Sequence, residues 1–255
     1  MTVAMITGAT AGIGREFAEQ LAARGHDLVI VARDTDRLEA VAAEIRDRHG
    51  VEVEVVTADL SDRAAVGRVA ERVAATERPV DVLVNNAGYG LRRPFLANDL
   101  EVEEAMFDVL ARAVLVLSHA AGRAMRDRGR GTIIVVSSVA GWLAGGSYSA
   151  AKAWATTFTE ALAGELAGTG VTVTALVPGF TRTEFHTRGD LRADTVPDLL
   201  WLQAPELVAD CLHDAERGKV LSVPSLRYKV IGAAARLAPR RLVRAGGPVA
   251  RRRPR

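Results

Sequence analysis

Cysteine is almost absent from this 255-residue chain. Cys211 stands alone, so no internal disulfide can form and a reducing, cytoplasmic setting is expected. It falls at helical spacing among Leu207, Val208 and Leu212 and reads as a core residue, not a nucleophile. Aromatic residues make up only 5% of the sequence, and none is interleaved with the arginine cluster near the C-terminus. A base-stacking surface is therefore not supported, and no nucleic-acid partner is expected. Long apolar runs are missing too. The longest, such as 113–117 and 133–136, fall well short of the roughly 20 residues that span a bilayer, so no transmembrane helix is expected. The first residues lead almost directly into Val3-Ala4-Met5-Ile6, without the basic, apolar and cleavage regions of a secretory signal. Solenoid-length repeats and internal linkers are also lacking.

Acidic residues are missing from one region only. From Pro224 onward there are ten Lys/Arg and no Asp or Glu, and since the whole chain carries +2, the residues before Pro224 carry a net −8. The basicity belongs to the C-terminal segment. Its Leu226, Val230, Ala233, Ala234 and Leu237 fall at helical spacing beside arginines. The simplest reading of 224–255 is a solvated basic helix with a disordered end. Peripheral contact with an anionic membrane is the alternative.

What is present is a regular alternation. Apolar, β-rich runs lie at 3–7, 28–32, 51–57, 80–84, 132–137, 171–177 and 220–223. Helix-length segments lie between them at 12–24, 36–49, 61–76, 101–128, 149–166 and 205–217. Near-continuous apolar strands joined by helices predict a parallel sheet covered on both faces. Right-handed crossovers then predict a doubly wound, Rossmann-type α/β fold in three layers, with one catalytic domain over 1–223.

The turn Thr7-Gly8-Ala9-Thr10-Ala11-Gly12-Ile13-Gly14 joins the first strand to the first helix. Its glycines permit a tight turn, close approach of backbone to a pyrophosphate, and close helix–strand packing. The helix N-terminus offers free N–H groups and a positive dipole. The spacing, G-x-x-x-G-x-G, differs from the common G-x-G-x-x-G. At the end of the second strand an acid would bind a ribose 2′-hydroxyl, whereas Val31-Ala32-Arg33 presents a guanidinium suited to a 2′-phosphate. NADP(H) is the expected cofactor. The alternative leaves Arg33 in solvent and gives the ribose to Asp34 or Asp36.

Tyr148-Ser149-Ala150-Ala151-Lys152 opens an apolar helix, and the i, i+4 spacing puts phenol and ammonium on one face. A neighbouring cation favours the phenolate, which lets a tyrosine exchange protons with a carbonyl or alcohol oxygen. The spacing alone would be a weak signal. With Asp59-Leu60, Asn85-Asn86-Ala87-Gly88, Ser137-Ser138 and Pro178-Gly179 followed by Thr183, in that order, the chain resembles the short-chain dehydrogenase/reductase family up to about residue 223.

The resemblance implies an oxidoreductase moving a hydride between nicotinamide and a small-molecule carbonyl or alcohol. It implies Tyr148 as general acid/base, Ser138 as the donor to the substrate oxygen, and Lys152 on the nicotinamide ribose. Gly8, Thr10, Gly12, Ile13 and Gly14 would take the pyrophosphate. Asp59 and Leu60 would meet the adenine, and Asn85, Ala87 and Gly88 would line its ribose and support the sheet. Pro178, Gly179 and Thr183 would hold the carboxamide. No metal is expected, and a homodimer or homotetramer is.

Two departures stand out. The relay asparagine of many family members falls at Leu110, with Arg112, Ser118 and His119 nearby. Only ten positions separate Ser138 from Tyr148, about three fewer than is usual, although Gly141, Gly145 and Gly146 allow a tight path. Ser137 is the lesser candidate for the serine role. Substrate loops carry Tyr89, Leu91, Trp142 and Leu143, and further on Phe180, Phe185, His186, Leu199, Leu200 and Trp201. Such walls suit an apolar ketone or a 3-oxoacyl group. A nucleotide-binding scaffold with weak catalysis is the competing expectation, and Leu110 is the feature that favours it.

Overall fold

The computed structural model describes residues 2–183, 197–239 and 241, without the side chains of 235 and 236. Seven strands form one sheet: β1 (Val3–Thr7), β2 (Asp27–Ala32), β3 (Val53–Thr57), β4 (Val80–Asn85), β5 (Gly131–Val136), β6 (Val171–Leu176) and β7 (Leu221–Ser222). Their order is β3-β2-β1-β4-β5-β6-β7, and every pair is parallel.

Alternation along each strand sends side chains to two separate cores, which is why the strands read as unbroken apolar runs. Val3 and Met5 join α3 (Arg63–Ala74), α5 (Ala113–Arg128) and α6 (Ser147–Glu165) on one face. Ala4 and Ile6 join α1 (Gly12–Ala23), α2 (Thr35–His49) and α7 (Ala204–Glu216) on the other. Cys211 sits in this second core with no exposed surface, and burial pushes its thiol pKa up. It is the expected core residue.

The segment expected as one helix over 101–128 divides into three. α4 (Leu100–Phe107) runs through a π-helical turn, Asp108–Arg112, into α5. A π-turn widens the helix locally and occurs often at functional sites. This one carries Leu110 at its centre. Residues 100–128 are long and apolar enough to cross a membrane by composition, but over half of the critical window is buried inside this fold.

The basic C-terminal segment begins as α8 (Leu226–Leu237), a helix as expected. It is not detached from the domain. Tyr228 is 2% exposed. Its Oη accepts from Phe180 N at 3.0 Å and donates to Leu200 O at 2.7 Å. A domain boundary at 223 would cut these contacts, so the first turns of the segment belong to the catalytic domain. Residues 242–255 lie outside the described part.

Candidate active site

Strand order reverses between β1 and β4, and in open parallel sheets the crevice at that point, beyond the carboxyl ends of the strands, is where ligands bind. Here the two strand ends are stapled together. Thr7 Oγ1 accepts from Asn86 N at 2.9 Å and Ala87 N at 3.0 Å, and Asn86 Nδ2 donates to Thr7 O at 2.8 Å and Gly8 O at 3.2 Å. Sequence reasoning placed Asn86 in a motif but gave it no role; its partners lie almost eighty residues away.

The glycine turn fits into this frame with no space to spare. Gly8 and Gly12 adopt positive φ, of 69° and 55°. A Cβ on Gly14 would fall 2.2 Å from Asn86 Nδ2 and 2.3 Å from Gly8 O. Only glycine leaves the N-terminus of α1 open to a phosphate. Thr183 stands over the turn, since a Cβ on Gly12 would lie 3.0 Å from its Cβ. The expected carboxamide-holding segment thus meets the expected pyrophosphate turn. Thr10 offers its carbonyl to Arg37 at 3.4 Å, and Ile13 packs on the second core.

At the end of β2, Arg33 is exposed. Asp34, the rival ligand for the ribose, caps α2 by accepting from Arg37 N at 3.1 Å. Asp36 lies in the first turn of α2, and the charge of Arg33 reaches Asp59. Burial raises the Asp59 pKa, but hydrogen bonds from Ser61 N and Oγ, at 2.9 and 2.7 Å, and the charge of Arg33 outweigh it. The carboxyl ends below its usual value.

Two residues expected at the adenosine have side chains engaged in the fold. Leu60 is 5% exposed and packs in the first core, so its side chain is not presented to the crevice. Asn85 is 4% exposed and gives its amide to Ser118 Oγ at 3.1 Å. It ties β4 to α5, which is the sheet-supporting half of its expected role. Ser118 Oγ is the acceptor of that bond. Beyond the end of β4, Ala87 is half-buried and Gly88 exposed. Gly88 is pressed from behind, since a Cβ there would be 2.7 Å from Leu110 Cδ2 and 3.7 Å from Lys152 Nζ.

The proton-transfer residues converge from β5 and α6. Ser138 follows β5; its Oγ accepts from Ala140 N at 3.1 Å and shares a hydrogen bond with the Tyr148 phenol. Ser137 is spent elsewhere: its Oγ donates to Lys152 O at 2.7 Å and meets Thr156 Oγ1 at 2.6 Å, fixing α6 to β5. The short loop closes because Gly146 takes φ 99°, and because Gly141 sits where a Cβ would be 2.8 Å from Ala153 N.

Lys152 is 6% exposed, donates to Val136 O at 2.7 Å, and lies 5.8 Å from the Tyr148 ring centroid. Burial pushes the Tyr148 pKa up to about 12, against the smaller lowering by Ser138, and pulls that of Lys152 down to about 8. In the chain on its own, desolvation is the largest influence on both groups and outweighs what favours the phenolate. Leu110 lies in an apolar cluster with Met106 and Ala151, against which Tyr148 packs, and its side chain has no polar atom to hold a relay water.

The substrate walls are partly as expected. Phe180 meets Trp201 with ring centroids 5.9 Å apart, and Tyr89, Leu91 and Tyr148 pack against the cluster of Met106, Leu110 and Ala151. Trp142 is covered by α8 at Gly232, whose Cβ would fall 2.4 Å from the indole. Leu143 and Leu199 are exposed. Phe185 and His186 lie outside the described residues.

This arrangement, a glycine-cradled crevice at a strand switch point with a Ser–Tyr–Lys cluster beside it, defines a dinucleotide-type oxidoreductase. The short chain dehydrogenase family profile matches residues 2–192, and the chain belongs to that family. It is 36% identical to the 3-oxoacyl-[acyl-carrier-protein] reductase of Escherichia coli over 187 residues, covering 71% of this chain and 74% of that protein. It is 37% identical to sulfoacetaldehyde reductase 2 of Chromohalobacter salexigens over 210 residues, 76% of this chain and 82% of that one. A short-chain dehydrogenase from Sphingobium yanoikuyae, solved in complex with NADPH, superimposes with a TM-score of 0.85 at 34% identity, over 92% of this chain and 94% of that chain.

Proposed function

We propose that the protein is an NADPH-dependent carbonyl reductase acting on an apolar ketone or a 3-oxoacyl-type substrate. The observation that carries this reading is the convergence of Ser138, Tyr148 and Lys152 beside the Gly8–Gly14 turn. Bound NADPH supplies the hydride; the relative solved with NADPH supports that choice of cofactor, as does Arg33 free at the end of β2 while Asp34 caps a helix.

The chain's own residues do the rest. The α1 N-terminus and the turn hold the pyrophosphate, Arg33 the 2′-phosphate, and Lys152 the nicotinamide ribose. Ser138 donates to the substrate oxygen and stabilises the charge that grows there. Tyr148, kept protonated by burial, gives its phenolic proton to that oxygen. A phenol with a raised pKa suits reduction, where the proton must be present at the start. Tyr89, Leu91, Phe180 and Trp201 exclude water from the reacting centre.

The second reading is a nucleotide-binding scaffold with weak catalysis, and the dry packing of Leu110 favours it. A ketone panel monitored by NADPH oxidation separates the two. Turnover of at least one apolar ketone supports the reductase; tight NADPH binding with no turnover supports the scaffold. We place the enzyme in the cytoplasm as a homodimer or homotetramer. The exposed Leu226, Val230 and Leu237 on basic α8 keep a membrane contact as a variant. Because Tyr228 and Gly232 dock α8 on the domain, the test keeps the helix and replaces its exposed face, Leu226, Val230 and Leu237 together by serine, with unchanged binding to anionic liposomes removing the variant.

A further inference from the structure

Glu103 lies in α4, is 6% exposed, and was not among the residues the sequence singled out. Its Oε1 accepts from Asn98 Nδ2 at 2.6 Å, and its Oε2 accepts from Ser147 Oγ at 2.6 Å. Among the described residues no cation pairs with it. A buried carboxyl group held only by neutral donors gives a fold little that an apolar side chain of similar volume would not, because its desolvation offsets its bonds. What it supplies is direction: two short bonds at fixed angles from one rigid helix.

Those bonds run to the two loops that frame the substrate. Asn98 also donates to Arg93 O at 3.2 Å, closing the 93–98 turn of the loop after β4, the loop that starts with Tyr89 and Leu91. Ser147 is the first residue of α6, directly before Tyr148, and follows Gly146 at φ 99°. The end of the shortened Ser138–Tyr148 loop thus hangs on the same carboxylate as the opposite wall. Resting on the reductase reading above, we propose that Glu103 is a positioning residue: it couples the wall after β4 to the start of α6 and so sets the pose of Tyr148 against the substrate.

The test uses Glu103→Leu, Glu103→Gln and Ser147→Ala in the full chain. Leucine fills the volume without bonds. Glutamine keeps an acceptor for Asn98 and can donate to Ser147. In Glu103→Leu, amide hydrogen exchange is expected to rise together in 89–99 and 147–150. kcat/KM for the best ketone of the panel falls about tenfold or more, as misplaced groups allow, while Tm and NADPH affinity hold. Glu103→Gln recovers most of both losses. Ser147→Ala loosens 147–150 without unfolding risk, and combining it with Glu103→Leu adds little further loss.

Exchange that rises in one segment or neither, or losses that simply add, would overturn the proposal. A Tm that falls in step with activity would also overturn it, by reducing Glu103 to a structural role. A wild type that reduces no ketone sinks the reductase reading instead, and the exchange result still decides whether Glu103 couples the two loops.

Discussion

The two sides of the crevice are held by different means. On the coenzyme side the backbone is fixed by contacts that admit no alternative residue: Gly8, Gly12 and Gly14 against Asn86, Ala87 and Thr183, with Thr7 bonded across to β4. On the substrate side the same strand ends lead into loops joined by a few directional side-chain bonds, from Glu103, Asn98, Ser147 and Tyr228. The first is set by backbone sterics and tolerates almost no change. The second can be rebuilt by exchanging single side chains. Relatives that share the fold yet act on 3-oxoacyl groups or sulfoacetaldehyde fit that division.

The comparison breaks most sharply at the chemical groups between the two sides. Tyr148→Phe removes the transferred proton and is expected to lower carbonyl reduction by about 10²–10⁴-fold, the usual range for a general acid, while NADPH titration is unchanged. Lys152→Met is expected to abolish most activity and yet raise thermal stability. The folded pKa of Lys152, about 8, lies below the ordinary lysine value of 10.5, so the native state disfavours its charged form. That cost, on the order of 3 kcal/mol, is fully present below pH 8 and fades as pH rises to 10.5. The Tm advantage of Lys152→Met over wild type should shrink across that window; an advantage that grows with pH would reverse the sign and refute the argument.

Smaller effects sharpen each side separately. Arg33→Asp is expected to exchange the preference for NADPH over NADH, by about tenfold to a hundredfold, from the loss of charge-assisted bonds to a phosphate. Equal affinities for both coenzymes in the wild type would sink that assignment. Gly14→Ala is expected to cost about 1–3 kcal/mol in urea unfolding, because its Cβ would overlap Asn86 Nδ2 and Gly8 O. A neutral result would mean that the coenzyme side is more pliable than its geometry implies.

Legibility in the sequence follows the same line. Strands and most helix limits are local patterns and could be read. The Gly turn, Ser138, Tyr148 and Lys152 could be read because their order is a family pattern. The division of 101–128 at the π-turn could not, since Asp108–Arg112 contains no glycine or proline to mark it. The role of Asn86, and the bond from Ser147 to Glu103, escaped because they exist only across contacts dozens of residues apart. The docking of α8 could not be read because charge dominates its composition, whereas Arg227, Tyr228 and Gly232 hold it to the domain.

The central claim is that Tyr148 delivers a proton to a carbonyl beside bound NADPH. Initial rates of NADPH oxidation by wild type and Tyr148→Phe, measured side by side across a panel of apolar ketones, address it most directly. At least one ketone is expected to be reduced by wild type and about 10²–10⁴-fold more slowly by Tyr148→Phe, with equal NADPH affinity for both. Equal rates in the two proteins, or tight NADPH binding with no reduction of any ketone, would contradict it.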